Sequence, residues 1–146
     1  MELAYLMRLR QIEVRTLTRP DCTKYVDGVH ARRRKGSREQ IVEWSERLRA
    51  AVTPALPSSV GSVYVLHDRR GQPITKSAFD SAWNALISEC VAEGDILERF
   101  RFHDLKAKGV SDFPGGPADR QQAAGHKTPQ VAAVYDRKIH RIKPTK

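Results

Sequence analysis

His103-Asp104-Leu105-Lys106, Gly125-His126-Lys127 and Val134-Tyr135-Asp136 follow one another near the end of the chain. Two histidines, a lysine and a tyrosine recur there in an order that phosphoryl-transfer chemistry can use. Asp104 to about Asp112 reads as a helix, Gly115-Gly116-Pro117 interrupts it, and Ala118 to Ala124 reads as a second short helix ending at Gly125. Thr128-Pro129 pairs an N-cap with proline at the first helical position, which starts a helix running toward Tyr135.

Working back toward the N-terminus, Lys76 to Ala92 is the clearest helix. Thr75 caps it, Gly94 closes it, and Phe79, Trp83, Leu86, Ile87, Cys90 and Val91 make an apolar stripe that assigns it to the core. Ser45 caps a short helix over 46–52. Residues 2–17 read as one helix, with Leu3, Leu6, Met7, Val14 and Leu17 at helical spacing and Leu9 nearby, ended by Pro20-Asp21. Arg10 and Glu13 share a face of it. Between these helices lies a strand region over 24–44. Asp27-Gly28 signals a two-residue hairpin, a second turn falls at Lys35-Gly36-Ser37, and Gln40 to Trp44 return. The expected fold is therefore α+β, mostly α-helical with a small three-stranded antiparallel sheet.

The chain of 146 residues carries 26 lysines and arginines against 17 acidic residues, a net charge of +9. One domain with that excess favours a polyanionic partner, nucleic acid before an anionic membrane. Cys22 and Cys90 are far apart and form no metal-ligand or disulfide pattern. No run of ~18 apolar residues and no signal peptide is evident, so no membrane partner is expected and the cytoplasm is the default compartment. Arg32, Arg33 and Arg34 with Lys35 form a basic run at the second hairpin turn, where they could grip a phosphate backbone.

Breaking a phosphodiester without a metal needs an in-line nucleophile, cations on the non-bridging oxygens and an acid for the leaving oxygen. Arginine suits the oxygens because its planar fork donates twice. A tyrosine nucleophile stores the bond energy as a phosphotyrosine, so rejoining needs no ATP.

At these residues the chain resembles the tyrosine recombinases, specifically the phage and prophage integrases. Leu9-Arg10-Gln11-Ile12-Glu13 matches their Leu-Arg-x-x-Glu pattern, Lys35 their hairpin lysine, and His103-Asp104-Leu105-Lys106 their His-x-x-Arg. Ala124-Gly125-His126 matches their Leu-Gly-His, with Tyr135 nine residues after His126. The resemblance runs from Leu3 to about Lys138. It implies a catalytic domain over 1–136, a basic tail over 137–146, and site-specific recombination of mobile DNA, integrating or excising it. Tyr135 would attack the scissile phosphate to give a 3′-phosphotyrosyl link. Arg10 would clamp an oxygen with Glu13 supporting it, Lys35 would protonate the 5′-hydroxyl, and His103 and His126 would donate to the phosphate or shuttle a proton. Lys106 would stand where the family keeps its second arginine. No metal and no cofactor is implied. The partners implied are double-stranded DNA and further copies of the chain, assembled as a tetramer on DNA through the tail.

The sequence departs from the pattern at three places. Lys106 keeps the charge but loses the fork. Arg8 replaces a small glycine before the Leu-Arg pair, and Ala124 replaces a leucine. Only nine residues precede Arg10, whereas the family carries an upstream DNA-binding domain, so the expectation is a catalytic-domain fragment or a truncated product. Arg33 and Arg34 compete with Lys35 for the hairpin role, because a one-residue slip changes the candidate. The other readings are a catalytically weak or inactive DNA-binding remnant, a small basic adaptor for RNA or protein, and a type IB topoisomerase.

Overall fold

Arg8 decides where the first helix stops. In the computed structural model, which describes residues 1–33, 37–57 and 60–125, Glu2–Leu6 form α1 and Gln11–Arg15 form α2. Between them Arg8 takes φ 53°, a left-handed conformation through which an α-helix of L-residues does not continue. The single helix expected over 2–17 is thus two. The packing gives the reason. Leu9 lies off the stripe of a continuous helix, yet Met7 and Leu9 are both buried, at 0% and 1% exposure. The Arg8 turn lets both enter the core.

Pro20-Asp21 starts a helix instead of ending one. Arg19–Thr23 form α3, and Asp21 Oδ2 accepts from the Thr18 amide at 3.0 Å and its hydroxyl at 2.6 Å. Residues 24–26 are consequently a connection, and the third strand is absent from the sheet. Gly28–Ala31 form β1, Gln40–Glu43 form β2, and the two pair antiparallel from Gly28↔Glu43 to Ala31↔Gln40. Gly28 is the first strand residue, not the second residue of a hairpin turn. A Cβ there would collide with the Val42 carbonyl on the neighbouring strand, so the Asp27-Gly28 signal reflects close approach and not a left-handed turn. Val63 to Leu66 make only an isolated antiparallel bridge, Tyr64 to Thr18.

The later helices follow their caps. Glu46–Val52 form α4, with Ser45 Oγ accepting from the Leu48 amide at 3.1 Å. Lys76–Ala92 form α5, with Thr75 Oγ1 accepting from the Ala78 amide at 3.2 Å. Phe79, Trp83 and Ile87 carry its inward stripe, while Leu86 is exposed and Cys90 half-buried. The fully core cysteine is Cys22, at 4% exposure. Phe102–Ser111 form α6 and Pro117–Ala123 form α7. Phe102 packs edge-on against Phe79 and Trp83, with ring centroids 4.8 and 5.1 Å apart, and this fixes the start of α6 against α5. In its last turn α6 crosses α1 so closely that a Cβ on Gly109 would run into the Tyr5 carbonyl. Among the described residues no helix is long and apolar enough to cross a membrane, and no cluster of His, Cys, Asp and Glu could hold a metal ion.

Candidate functional site

The Arg8 turn delivers Arg10 to the N-cap of α2. Glu13, one turn on, accepts from the Arg10 amide at 2.7 Å with one carboxylate oxygen and from Arg10 Nη1 at 2.9 Å with the other. The Glu13 side chain is 1% exposed and that of Arg10 is 23% exposed, so the buried acid aims a guanidinium that still reaches solvent. Ser37 Oγ, from the far side of the hairpin, lies 3.4 and 3.5 Å from the two Arg10 terminal nitrogens. An arginine held at two points on one side keeps its remaining donors for an anion on the other.

Lys106 arrives from α6 and is fully buried, at 0% exposure. Its ammonium is pushed down to about 7, by burial first, then by the positive charges of Arg33 and Arg10. Glu13 opposes the shift and Arg8 adds to it. The lysine thus sits in a field of three guanidiniums and one carboxylate, the arrangement that an entering anion relieves. Near neutral pH it is poised between neutral and charged. Bound phosphate would favour the charged form.

His103 lies in the first turn of α6 and is exposed. It lines the same cleft as Arg10, a space of about 1140 Å³ between the N-terminal ends of α2, α5 and α6. Arg15, Lys76, Arg99 and Arg101 add basic groups to its wall. Asp104 accepts from the Arg101 amide at 2.9 Å and fixes the entry of α6, which sets where His103 stands.

The basic run divides at the end of β1. Arg32 faces outward, 59% exposed, with its Nε 2.7 Å from Asp21 Oδ1. Arg33 was expected beside it as a phosphate grip, but its side chain is 0% exposed. It donates from Nη1 to the Arg8 carbonyl at 2.5 Å, and from Nη2 to the Met7 carbonyl at 2.9 Å and to Gln40 Oε1 at 3.0 Å. The correction has a simple cause. Strand alternation that buries Val29 and Ala31 carries Arg33 to the same face. That signal was present in the sequence and was masked by reading the basic run as one solvated block.

The structure therefore brings Arg10, Glu13 and Lys106 into one charged cluster, with Arg10 and His103 on one cleft. Arg34, Lys35, His126 and Tyr135, together with the tail over 137–146, lie outside the described residues. Gly125 is within them. Its φ is 69°, its carbonyl accepts from the Arg38 amide at 2.9 Å, and a Cβ would come 2.9 Å from the Arg38 carbonyl. The residue before His126 is thus seated against the far arm of the hairpin.

No protein-family model matches the sequence, and no curated protein matches it. Solved structures do match the fold. The XerA recombinase superposes with a TM-score of 0.72 at 17% identity, over 94% of this chain and 52% of that one. The Tn1549 transposon integrase, solved in complex with transposon right end DNA, gives 0.75 at 12% identity, over 94% and 53%. A lambda integrase dimer bound to a core site gives 0.68 at 16% identity, over 99% and 54%. The chain spans about half the length of these structures. At this identity the likeness is one of fold alone, a mostly helical chain with a small antiparallel sheet.

Proposed function

We propose that the chain is the catalytic portion of a tyrosine-type site-specific DNA recombinase of the phage integrase kind. One observation carries the reading: the solvent-reaching Arg10 and the buried Lys106, far apart in sequence, come within electrostatic reach of one another and of Glu13. The fold likeness supports it, since the Tn1549 and lambda integrases were both solved on DNA. The net charge of +9 suits the same partner.

In this reading the Tyr135 phenolic oxygen attacks the scissile phosphorus and gives up its proton to a neighbouring base. The bond from phosphorus to the 5′ oxygen breaks, and Lys35 protonates that oxygen as it leaves as a hydroxyl. The product is a 3′-phosphotyrosyl link. Attack by a 5′-hydroxyl on that link reverses the step, so no external energy source enters. Arg10, Lys106, His103 and His126 hold the charge that develops on the non-bridging oxygens. Arg32 and Arg34 contact the backbone outside the cleavage point, and the basic tail joins copies of the chain on DNA.

The test is a nicked duplex that traps the covalent adduct by losing its 5′ fragment. Formation of a detergent-stable adduct by the chain, and its loss in Tyr135→Phe, is the expected result. A second reading, a weak or inactive DNA-binding remnant, draws on the buried Lys106. It leads to retention of duplex DNA with no adduct, even after Lys106→Arg.

A further inference from the structure

Arg33, like Lys106, is a buried cation of the cluster, and the phosphate chemistry just described gives it no role. Burying a guanidinium is costly unless its donors are met. Two of its three nitrogens are met by the Met7 and Arg8 carbonyls and by Gln40. Its Nη1 also lies 3.7 Å from Glu13, the same carboxylate that aims Arg10. The third nitrogen, Nε, is buried and has no hydrogen-bond partner among the described residues. A Cβ placed on Gly125 would lie 3.3 Å from it. The side chain therefore bonds the turn before Arg10 and the opposite strand, faces the carboxylate that orients Arg10, and leaves no free room for a side chain at Gly125.

These contacts converge on one strained place. Arg8 holds a left-handed conformation without being glycine, at a cost of roughly 1–2 kcal/mol. A residue stays there only when its surroundings hold it. Arg33 captures the carbonyls on both sides of that strain, those of Met7 and Arg8. Arg8 in turn donates from Nε to the Ala123 carbonyl at 2.9 Å, next to the Gly125 turn. The loop that presents Arg10 and the turn that leads to His126 are thus tied to the same guanidinium.

We infer that Arg33 is a positioning residue of this site, a buried clamp that fixes the Arg8 turn and the Glu13 carboxylate so that Arg10 is held in register to meet the phosphate. It does not touch DNA. The inference rests on the recombinase reading for its consequence in catalysis, but the clamp itself concerns the free protein. It also alters the charge felt by Lys106, whose ammonium Arg33 holds down more than any other neighbour does.

The experiment uses the full chain and four variants: Arg33→Met, Arg33→Lys, Lys106→Arg and the double Arg33→Met/Lys106→Arg. Adduct formation on the nicked duplex is followed as a function of DNA concentration, and Lys106 is titrated without DNA by side-chain NMR. Arg33→Met should slow adduct formation at saturating DNA by about tenfold to hundredfold, the scale of a misplaced catalytic group, with a smaller change in half-saturating DNA. It should also raise the Lys106 midpoint. Arg33→Lys keeps the charge without the planar fork, so the Lys106 midpoint should stay near wild type while the rate recovers only in part. In the double variant the rate defect should persist and its pH dependence should vanish. A folded Arg33→Met protein with an unchanged Lys106 midpoint and a rate within about twofold of wild type overturns the inference. If Arg33→Met does not fold, a fully active Arg33→Lys overturns it. If wild type forms no adduct, the recombinase reading fails, and the Lys106 midpoint alone decides whether Arg33 sets the cluster.

Discussion

Glu13 holds Arg10 at two points, the backbone amide at 2.7 Å and Nη1 at 2.9 Å, and does so from almost complete burial. One carboxylate therefore caps α2 and aims the guanidinium, so helix start and candidate phosphate grip are a single feature. Glu13→Gln keeps one acceptor oxygen but removes the charge shared by Arg10 and Arg33. We expect a loss of about 1–3 kcal/mol in stability, read as a lower urea midpoint, and slower adduct formation on the nicked duplex. An unchanged midpoint would mean that the carboxylate charge has no part in holding the cluster.

On the proposed recombinase reading, Lys106 should make DNA binding depend on pH in a defined direction. Its ammonium is held at about 7 in the free protein, while a bound phosphate favours the protonated form. Binding above neutral pH must therefore take up a proton, and affinity falls as pH rises, by at most about tenfold per unit from this group. Lys106→Arg stays charged and should flatten that slope. Fluorescence anisotropy of a labelled duplex at fixed salt, with buffer pH varied, measures it.

The same lysine sets a stability trend with the opposite sense. Its folded value lies below the ordinary 10.5 of the unfolded chain, so between the two the unfolded state binds more protons. Stability rises with pH across that window and levels off on either side. Relative to Lys106→Met, the wild-type chain should gain stability as pH climbs from about 7 toward about 10. Chemical denaturation of both proteins at matched pH checks the difference.

Backbone strain at Arg8 can be separated from its side chain by comparing two truncations. Arg8→Ala and Arg8→Gly both lose the bond to the Ala123 carbonyl and the stacking on Phe113, 5.0 Å from the ring centroid. Only glycine adopts φ 53° without strain. Arg8→Gly should be the more stable of the two by about 1 kcal/mol, seen in thermal melts.

Gly109 lets α1 and α6 cross. Gly109→Ala must push α6 away from the Tyr5 carbonyl, because the new methyl lands on backbone and not on a flexible side chain. Overpacking of this kind costs about 1–3 kcal/mol. Since Lys106 rides on the same helix, adduct formation should fall along with the melting temperature.

Much of this architecture was legible in the sequence. The caps at Ser45 and Thr75 and the glycine at 125 mark where α4 and α5 begin and α7 ends, because capping is a local interaction. Of the motif residues, Arg10, Glu13 and Lys106 fall within one charged cluster, while Lys35, His126 and Tyr135 lie outside the described residues. The break at Arg8 was signalled only weakly, by Leu9 off the helical stripe and by an arginine where the motif keeps a small glycine, because arginine itself has no preference for a left-handed turn. The third strand failed for a related reason: Asp27-Gly28 carries a turn signature, but the glycine answers to the strand beside it. Arg33 was readable and misread. Its phase with Val29 and Ala31 points inward, whereas its neighbours in a basic run suggested solvent.

Whether Tyr135 is the nucleophile is decided by the covalent adduct on a nicked duplex, mapped by mass spectrometry after proteolysis. The predicted result is a DNA-linked peptide containing Tyr135, formed by the wild-type chain and lost in Tyr135→Phe. An adduct that persists in Tyr135→Phe, or no adduct from either the wild-type chain or Lys106→Arg, contradicts it.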